Sequence, residues 1–178
     1  MMAGFQATDR TVLRIGGADA REFLQNLVTN DVRALERGAV YAALLTPQGK
    51  YLFDFFLLPD GEDILLDVQT ARAAALAQRL GLYRLRAAVT IAPTSLAVVL
   101  GTGAAPATGL VFADPRSEAL GWRAYVDEPA ALLAGITALE PAEMVALRVA
   151  NGVPESGVEL LPEDSYILEM GFERLRGV

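Results

Sequence analysis

The sequence contains no cysteine and no histidine, and it contains a single lysine, Lys50, against 14 arginines. Without thiols or imidazoles the chain forms no disulfide, no cysteine nucleophile, no zinc site of the usual Cys/His type and no Ser-His-Asp triad. For the same reason the chain cannot by itself ligate an iron-sulfur cluster. Any proton transfer would therefore fall to Asp, Glu, Tyr or Lys50.

Long apolar runs and positive net charge are also missing. No run approaches the 18 or more apolar residues of a membrane span, and the first ten residues lack the pattern of a signal peptide. The net charge of −7 and the pI of about 4.6 argue against binding to nucleic acid, because phosphates must be neutralised. We therefore expect a cytoplasmic protein without membrane or nucleic-acid partners. Its hydrophobic content of 53% is available for a core or an interface.

Hydrophobic patterning predicts an α+β protein with mostly antiparallel sheets and flanking helices. Apolar runs at 40–45, 51–58 and 64–68 are separated by TPQG and PDGE, which have turn composition and favour an antiparallel meander. Asp19 followed by Glu22 has the spacing of a capping box at the start of a helix.

Pro93 marks a predicted boundary between two lobes, because proline resists continuation of a strand. We expect residues 1–92 to form a first α+β lobe whose sheet carries Asp54. Residues 93–178 would form a second α+β lobe packed on the first.

Asp54 is a lone carboxylate in the apolar strand YLFDFFLL. Strict alternation would place Tyr51 on one face, and Asp54 with Leu52 on the other. Both faces are apolar, and a buried charge is costly unless it is paired or hydrogen-bonded. Two interpretations stay open from the residues alone: an ion pair with one of the arginines, or the floor of a pocket that accepts hydrogen bonds from a ligand.

The segment FLQNLVTNDVRALERGAVYAALLTPQGKYLFDFFLL, residues 23–58, resembles the YgfZ-type folate-binding proteins, relatives of the glycine-cleavage T-protein (aminomethyltransferase). The shared features are a helix ending in a T-N-D turn, a strand, a T-P-Q-G-K turn and a strand with an aspartate. Later blocks, among them YRLRAAVTI and MVALRVANGVP, extend the resemblance over nearly the whole chain. It implies a T-protein-like fold with a folate cleft between lobes.

The resemblance implies tetrahydrofolate as the ligand and assigns four residues to it. Asp54 would lie beside the pterin or the folate amines. Arg148, in the block L-R-x-x-x-G-x-P, would meet the anionic or carbonyl side of the ligand. Gln48 and Lys50 would shape the turn before the strand. No catalytic residue and no metal ligand is assigned.

Two departures from the family pattern bear on activity. The sequence ends at Val178, where relatives continue into a KGCYxGQE motif and a C-terminal barrel, and the T-protein block G-Y-T-G-E is replaced by GWRAYV. The resemblance thus implies a tetrahydrofolate-binding protein linked to assembly or repair of iron-sulfur enzymes, with those enzymes or their assembly factors as partners. Whether the chain is an enzyme stays open. The alternatives are a folate-dependent aminomethyltransferase-like enzyme and an interaction module without folate affinity.

Overall fold

The computed structural model describes residues 1–178. They form two five-stranded sheets, four α-helices and two 3-10 helices. The strands are β1 (Ala3–Gln6), β2 (Arg10–Gly16), β3 (Val40–Leu45), β4 (Tyr51–Asp60), β5 (Asp63–Gln69), β6 (Thr90–Pro93), β7 (Ala97–Thr102), β8 (Leu110–Ala113), β9 (Trp122–Val126) and β10 (Thr137–Ala138). The α-helices are α1 (Ala20–Gln25), α2 (Thr70–Arg84), α3 (Pro129–Ala134) and α4 (Pro141–Ala150); the 3-10 helices are Val32–Arg37 and Glu118–Leu120.

The first sheet has the strand order β3-β4-β5-β2-β6, and all its neighbouring strands are antiparallel. The predicted meander of β3, β4 and β5 is therefore confirmed. One face of this sheet packs on α1 and α2 through residues such as Phe23, Phe55 and Leu76, and we call this layer the outer core. The opposite face forms an inter-sheet core, which includes Phe56 and Phe172.

The second sheet has the order β10-β1-β7-β9-β8, antiparallel except for the parallel pair β1–β10. Strand β1 comes from the residues predicted as the first lobe but pairs with β7 in the second sheet. The division into lobes 1–92 and 93–178 stays a prediction. The α+β class with mostly antiparallel sheets is confirmed, and none of the helices combines the length and apolar character that a membrane crossing needs.

A β-bulge corrects the predicted faces of β4. Leu44 pairs with Phe53 and Leu45 with Tyr51, so Leu52 is an extra residue without a partner on β3. The bulge lets Leu52 and Phe53 both join the outer core, and it turns Tyr51 into the inter-sheet core, on the side of Asp54. Bulges re-aim side chains in this way, and periodicity alone does not reveal them.

The predicted capping box at Asp19 and Glu22 is wrong. Asp19 makes no side-chain bond to α1; its Oδ2 instead accepts a hydrogen bond of 2.7 Å from the backbone N–H of Ala88. A tertiary contact therefore takes the side chain away from the helix end. The capping box of this fold is at α4, where Glu140 and Glu143 exchange bonds with each other's backbone N–H groups.

Candidate functional site

A cavity of about 310 Å³ lies between the two sheets and α4. Its walls come from the β1–β2 connection, from β4 and β9, from the segment before Glu118–Leu120, and from α4 with the residues that follow it. Its lining is rich in charge: Asp9, Arg10, Asp54, Asp114, Arg116, Arg123, Arg148 and Glu155. This concentration of ionisable side chains in a concave site makes the cavity the candidate functional site.

Asp54 lines this cavity, and two tyrosine hydroxyls hold its carboxylate. The Tyr41 hydroxyl donates to Oδ2 at 2.8 Å, and the Tyr51 hydroxyl donates to Oδ1 at 2.6 Å. Asp54 makes no ion pair with any arginine, so the ion-pair interpretation is wrong. Each oxygen accepts one bond from the chain and keeps a further lone pair for another donor.

The two tyrosines are fixed as hydrogen-bond donors. Burial, followed by the Asp54 charge, raises the pKa of Tyr41 well above its usual value, and the same causes raise the pKa of Tyr51. The Tyr51 oxygen also lies 2.8 Å from the Ser156 hydroxyl, another cavity residue. The bulge at Leu52 is what brings Tyr51 into this arrangement, and it thereby orients the Asp54 carboxylate.

A second carboxylate, Asp67 on β5, is fully buried beside the cavity and joins the two sheets. Its Oδ1 accepts from Arg10 Nε at 2.7 Å. Its Oδ2 accepts from Arg123 Nη2 and from the Tyr125 hydroxyl on β9, each at 2.7 Å. Burial would raise the pKa of Asp67, but the charges of Arg10 and Arg123 outweigh it and lower that pKa to about 2.

A third carboxylate, Asp114, pairs with Arg116. Nε and Nη2 of Arg116 donate to the two carboxylate oxygens at 3.0 and 2.8 Å, a bidentate arrangement. The guanidinium carbons of Arg123 and Arg116 lie 3.9 and 4.7 Å from the centre of the Phe56 ring. The arginines therefore form a positively charged wall that Asp67 and Asp114 hold in place.

The structure brings Arg148 to the cavity together with Asp54, but Arg148 is already engaged. Its Nη1 donates to the Val153 carbonyl at 2.7 Å and to Glu159 at 3.0 Å, and its Nε lies 3.4 Å from a Glu155 oxygen. These contacts tie the end of α4 to the loop that follows it.

Gln48 and Lys50 do not line the cavity. Gln48 is exposed in the turn, and Lys50 forms a bridge with Tyr166, its Nζ 5.7 Å from the centre of that ring. Their place agrees with a role in shaping the turn and supplies no ligand contact.

Sequence analysis did not identify the cavity-lining residues Arg10, Asp114, Arg116 and Arg123, or the buried Asp67 beside them. One signal was present: Asp67 interrupts the apolar run ILLDV as Asp54 interrupts its own strand. Asp67 pairs in register with Phe56, and Phe56 is two residues from Asp54 along β4. A second lone acid in a neighbouring apolar strand thus indicated a polar patch on one face of the sheet.

Stability should fall in acid because Asp67 has a lower pKa in the folded protein than its ordinary value of 3.8. The ionised Asp67 carboxylate contributes roughly 2 kcal/mol to the free energy of unfolding. This contribution is complete above pH 3.8 and is lost as the pH falls through about 2. Urea unfolding at a series of pH values should show a smaller acid-induced loss in Asp67→Asn than in the parent. Equal losses in both would contradict the assignment.

No protein-family model matches the chain. Over 205 residues it is 30% identical to the Homo sapiens mitochondrial iron-sulfur cluster assembly factor IBA57, with 99% of this chain and 58% of that protein covered. The Pyricularia oryzae IBA57 homolog is 29% identical, with 96% of this chain and 48% of that protein covered. The chain is thus similar in sequence to IBA57 assembly factors over nearly its whole length. It spans about half to three fifths of the length of these relatives.

The fold is that of the aminomethyltransferase T-protein. The Bartonella henselae glycine cleavage system aminomethyltransferase T matches with a TM-score of 0.73, over 91% of this chain and 54% of that chain, at 16% identity. The T-protein-like fold predicted from the motifs is thus confirmed. The relatives reported above are named IBA57 factors, whereas the motifs of this sequence resemble those of the YgfZ-type proteins.

The predicted cytoplasmic location is wrong by the same comparisons. The Homo sapiens, Pyricularia oryzae and Mycosarcoma maydis homologues are all named mitochondrial proteins. The prediction rests on the absence of apolar segments. That absence argues against membrane insertion and secretion, but it does not distinguish the cytoplasm from the interior of an organelle.

Proposed function

We propose that the chain binds a tetrahydrofolate species in the cavity and acts in the assembly of iron-sulfur proteins. The observation that carries the folate part is the Asp54 carboxylate. It faces the cavity, is held by Tyr41 and Tyr51, and has no cationic partner. A carboxylate held in this way accepts hydrogen bonds from the N–H groups of a reduced pterin.

The size of the cavity supports a small ligand. About 310 Å³ lies at the lower end of the range for small-molecule sites, which suits a pterin head and part of the adjoining ring better than a whole folate. Phe56 and Leu100 supply apolar lining and the charged residues supply orientation.

The iron-sulfur part rests on the homologues named as iron-sulfur cluster assembly factors. Clusters are held mainly by cysteine thiolates, and the chain has none. We therefore assign the chain to folate binding, with the cluster carried by an iron-sulfur enzyme or by another assembly factor as its partner.

A calorimetric titration with 5-formyltetrahydrofolate tests the proposal. The parent should bind saturably, and Asp54→Ala should lose at least about 10-fold in affinity, because hydrogen bonds to a charged group are removed. Arg148→Ala should cost less, since Arg148 is engaged with Glu155 and Glu159.

Asp60→Ala is the matched control. Asp60 lies on the same strand as Asp54 but pairs with Arg14 away from the cavity, so binding should be unchanged. No binding by a parent protein that circular dichroism shows to be folded would refute the folate proposal and leave the interaction module as the better account.

A further inference from the structure

The C-terminal end of α2 presents exposed leucines. Residues 81–86, with the sequence GLYRLR, are all exposed, and we call them the α2 tip. Leu82 and Leu85 are 68% and 89% exposed. Leu85 also has φ of +44°, a backbone conformation that is unfavourable for leucine and that packing of its exposed side chain does not offset. Two large apolar side chains held outwards in this way favour contact with another surface.

The α2 tip is positively charged, although the chain as a whole is acidic. No Asp or Glu occurs between Asp67 and Asp114, whereas the net charge of the whole chain is −7. Arg84 and Arg86, which flank Leu85, form no ion pair. The α2 tip therefore combines apolar side chains with uncompensated positive charge, and the surface that it fits is apolar and acidic.

A surface of that kind is present on the same chain. A groove of about 550 Å³, which we call the α3 groove, lies between α3, the end of β9 and the loop before β8. Asp127 and Glu128 line it, are exposed and form no ion pair, and no Lys or Arg lines it. Its apolar lining includes Met2, Val126, Leu132 and Ile136.

The α2 tip and the α3 groove belong to opposite sides of the fold. Helix α2 packs on the outer face of the first sheet. Helix α3 packs through Leu132 and Leu133 on the face of the second sheet that points away from the inter-sheet core, where Val99 and Trp122 lie. The two sheets separate the two surfaces, so they cannot meet within one chain. They can meet between two stacked copies.

We infer that the chain associates with further copies of itself, the α2 tip of one copy entering the α3 groove of the next. The two leucines contact the apolar lining, and the two arginines pair with the two acids that line the groove. A symmetric contact between two tips is disfavoured, because it would bring like charges together. Since the contact is heterologous, each copy keeps a free tip or a free groove, and association continues beyond a dimer. The inference does not depend on folate binding.

Sedimentation velocity of the full chain, without folate, tests the inference. The average mass of the parent should rise above the 19.0 kDa of one chain as its concentration increases. About 1 M salt should reverse this rise, because the screening length falls to roughly 3 Å. Leu82→Ser/Leu85→Ser should associate at least about 10-fold more weakly, because two apolar side chains no longer leave water on association.

An exchange of charges tests the pairing. Arg84→Glu/Arg86→Glu makes the tip acidic, and Asp127→Lys/Glu128→Lys makes the groove basic, so neither variant alone should associate. A mixture of the two variants restores opposite charges at each contact between unlike chains, and it should associate as the parent does.

Arg37→Glu/Arg176→Glu is the matched control, because it reverses two exposed, unpaired arginines outside both surfaces and should associate like the parent. Circular dichroism shows first that each variant is folded. The inference is wrong if the parent keeps the mass of one chain up to about 1 mM. It is equally wrong if either charge variant alone associates like the parent, or if their mixture associates no better than its components. The folate proposal is unaffected by these results.

Discussion

Asp67→Ala should lower the free energy of unfolding by roughly 3–5 kcal/mol, the usual cost of removing one partner from a buried ion pair. Asp67 is fully buried and accepts from Arg10, Arg123 and Tyr125. Without it, the Arg123 guanidinium, only 4% exposed, keeps Asp114 at 3.5 Å as its remaining ion pair. Urea unfolding at neutral pH measures the loss.

The control for this prediction is Asp60→Ala, which also removes an aspartate paired with an arginine. Asp60 and Arg14 are 31% and 38% exposed, so this substitution should cost at most about 1 kcal/mol. Similar losses of unfolding free energy in Asp67→Ala and Asp60→Ala would show that burial does not determine how much the Asp67 ion pairs contribute to stability.

Gly121→Ala should cost roughly 2–5 kcal/mol, from an unfavourable backbone conformation and from overpacking. Gly121 has φ of +72°, and a Cβ at this position would collide with the carbonyl oxygen of Gly101 on β7. Gly101 is the register partner of Trp122, so the collision falls on the β7–β9 pairing. Thermal and urea unfolding should both report the loss.

Gly49→Ala separates the cost of the backbone conformation from the cost of overpacking. Gly49 has φ of +85°, but a Cβ there meets no atom within 4 Å. Its substitution should cost only the backbone share, about 1–2 kcal/mol. If Gly121→Ala is no worse than Gly49→Ala, the close approach of β7 does not limit this position.

Local patterning predicted the class of fold and the main strands because the apolar runs and turns are local features. The meander from β3 to β5 follows from neighbouring residues alone. The order of strands in the second sheet did not follow, since it depends on the pairing of β1 with β7 and β10, far away in the chain.

The site was predictable only in part for a related reason. Asp54 stood out because one charge in an apolar strand must be compensated. Its partners did not, because Tyr51 reaches it through a bulge that alternation does not predict. The arginine wall assembles from β2, β9 and the segment before β9, so no single stretch of sequence contains the pattern.

Strand β1 is synthesised long before the strands that it pairs with. Ala3 pairs with Thr102 and Thr137, about 100 or more residues further along. A nascent chain that elongates at roughly 5–20 residues per second leaves this strand without its partners for on the order of 10 s, while the first sheet can already form. Strand β1 is therefore synthesised well before its native neighbours, and the cavity that it borders is complete only after they have been made.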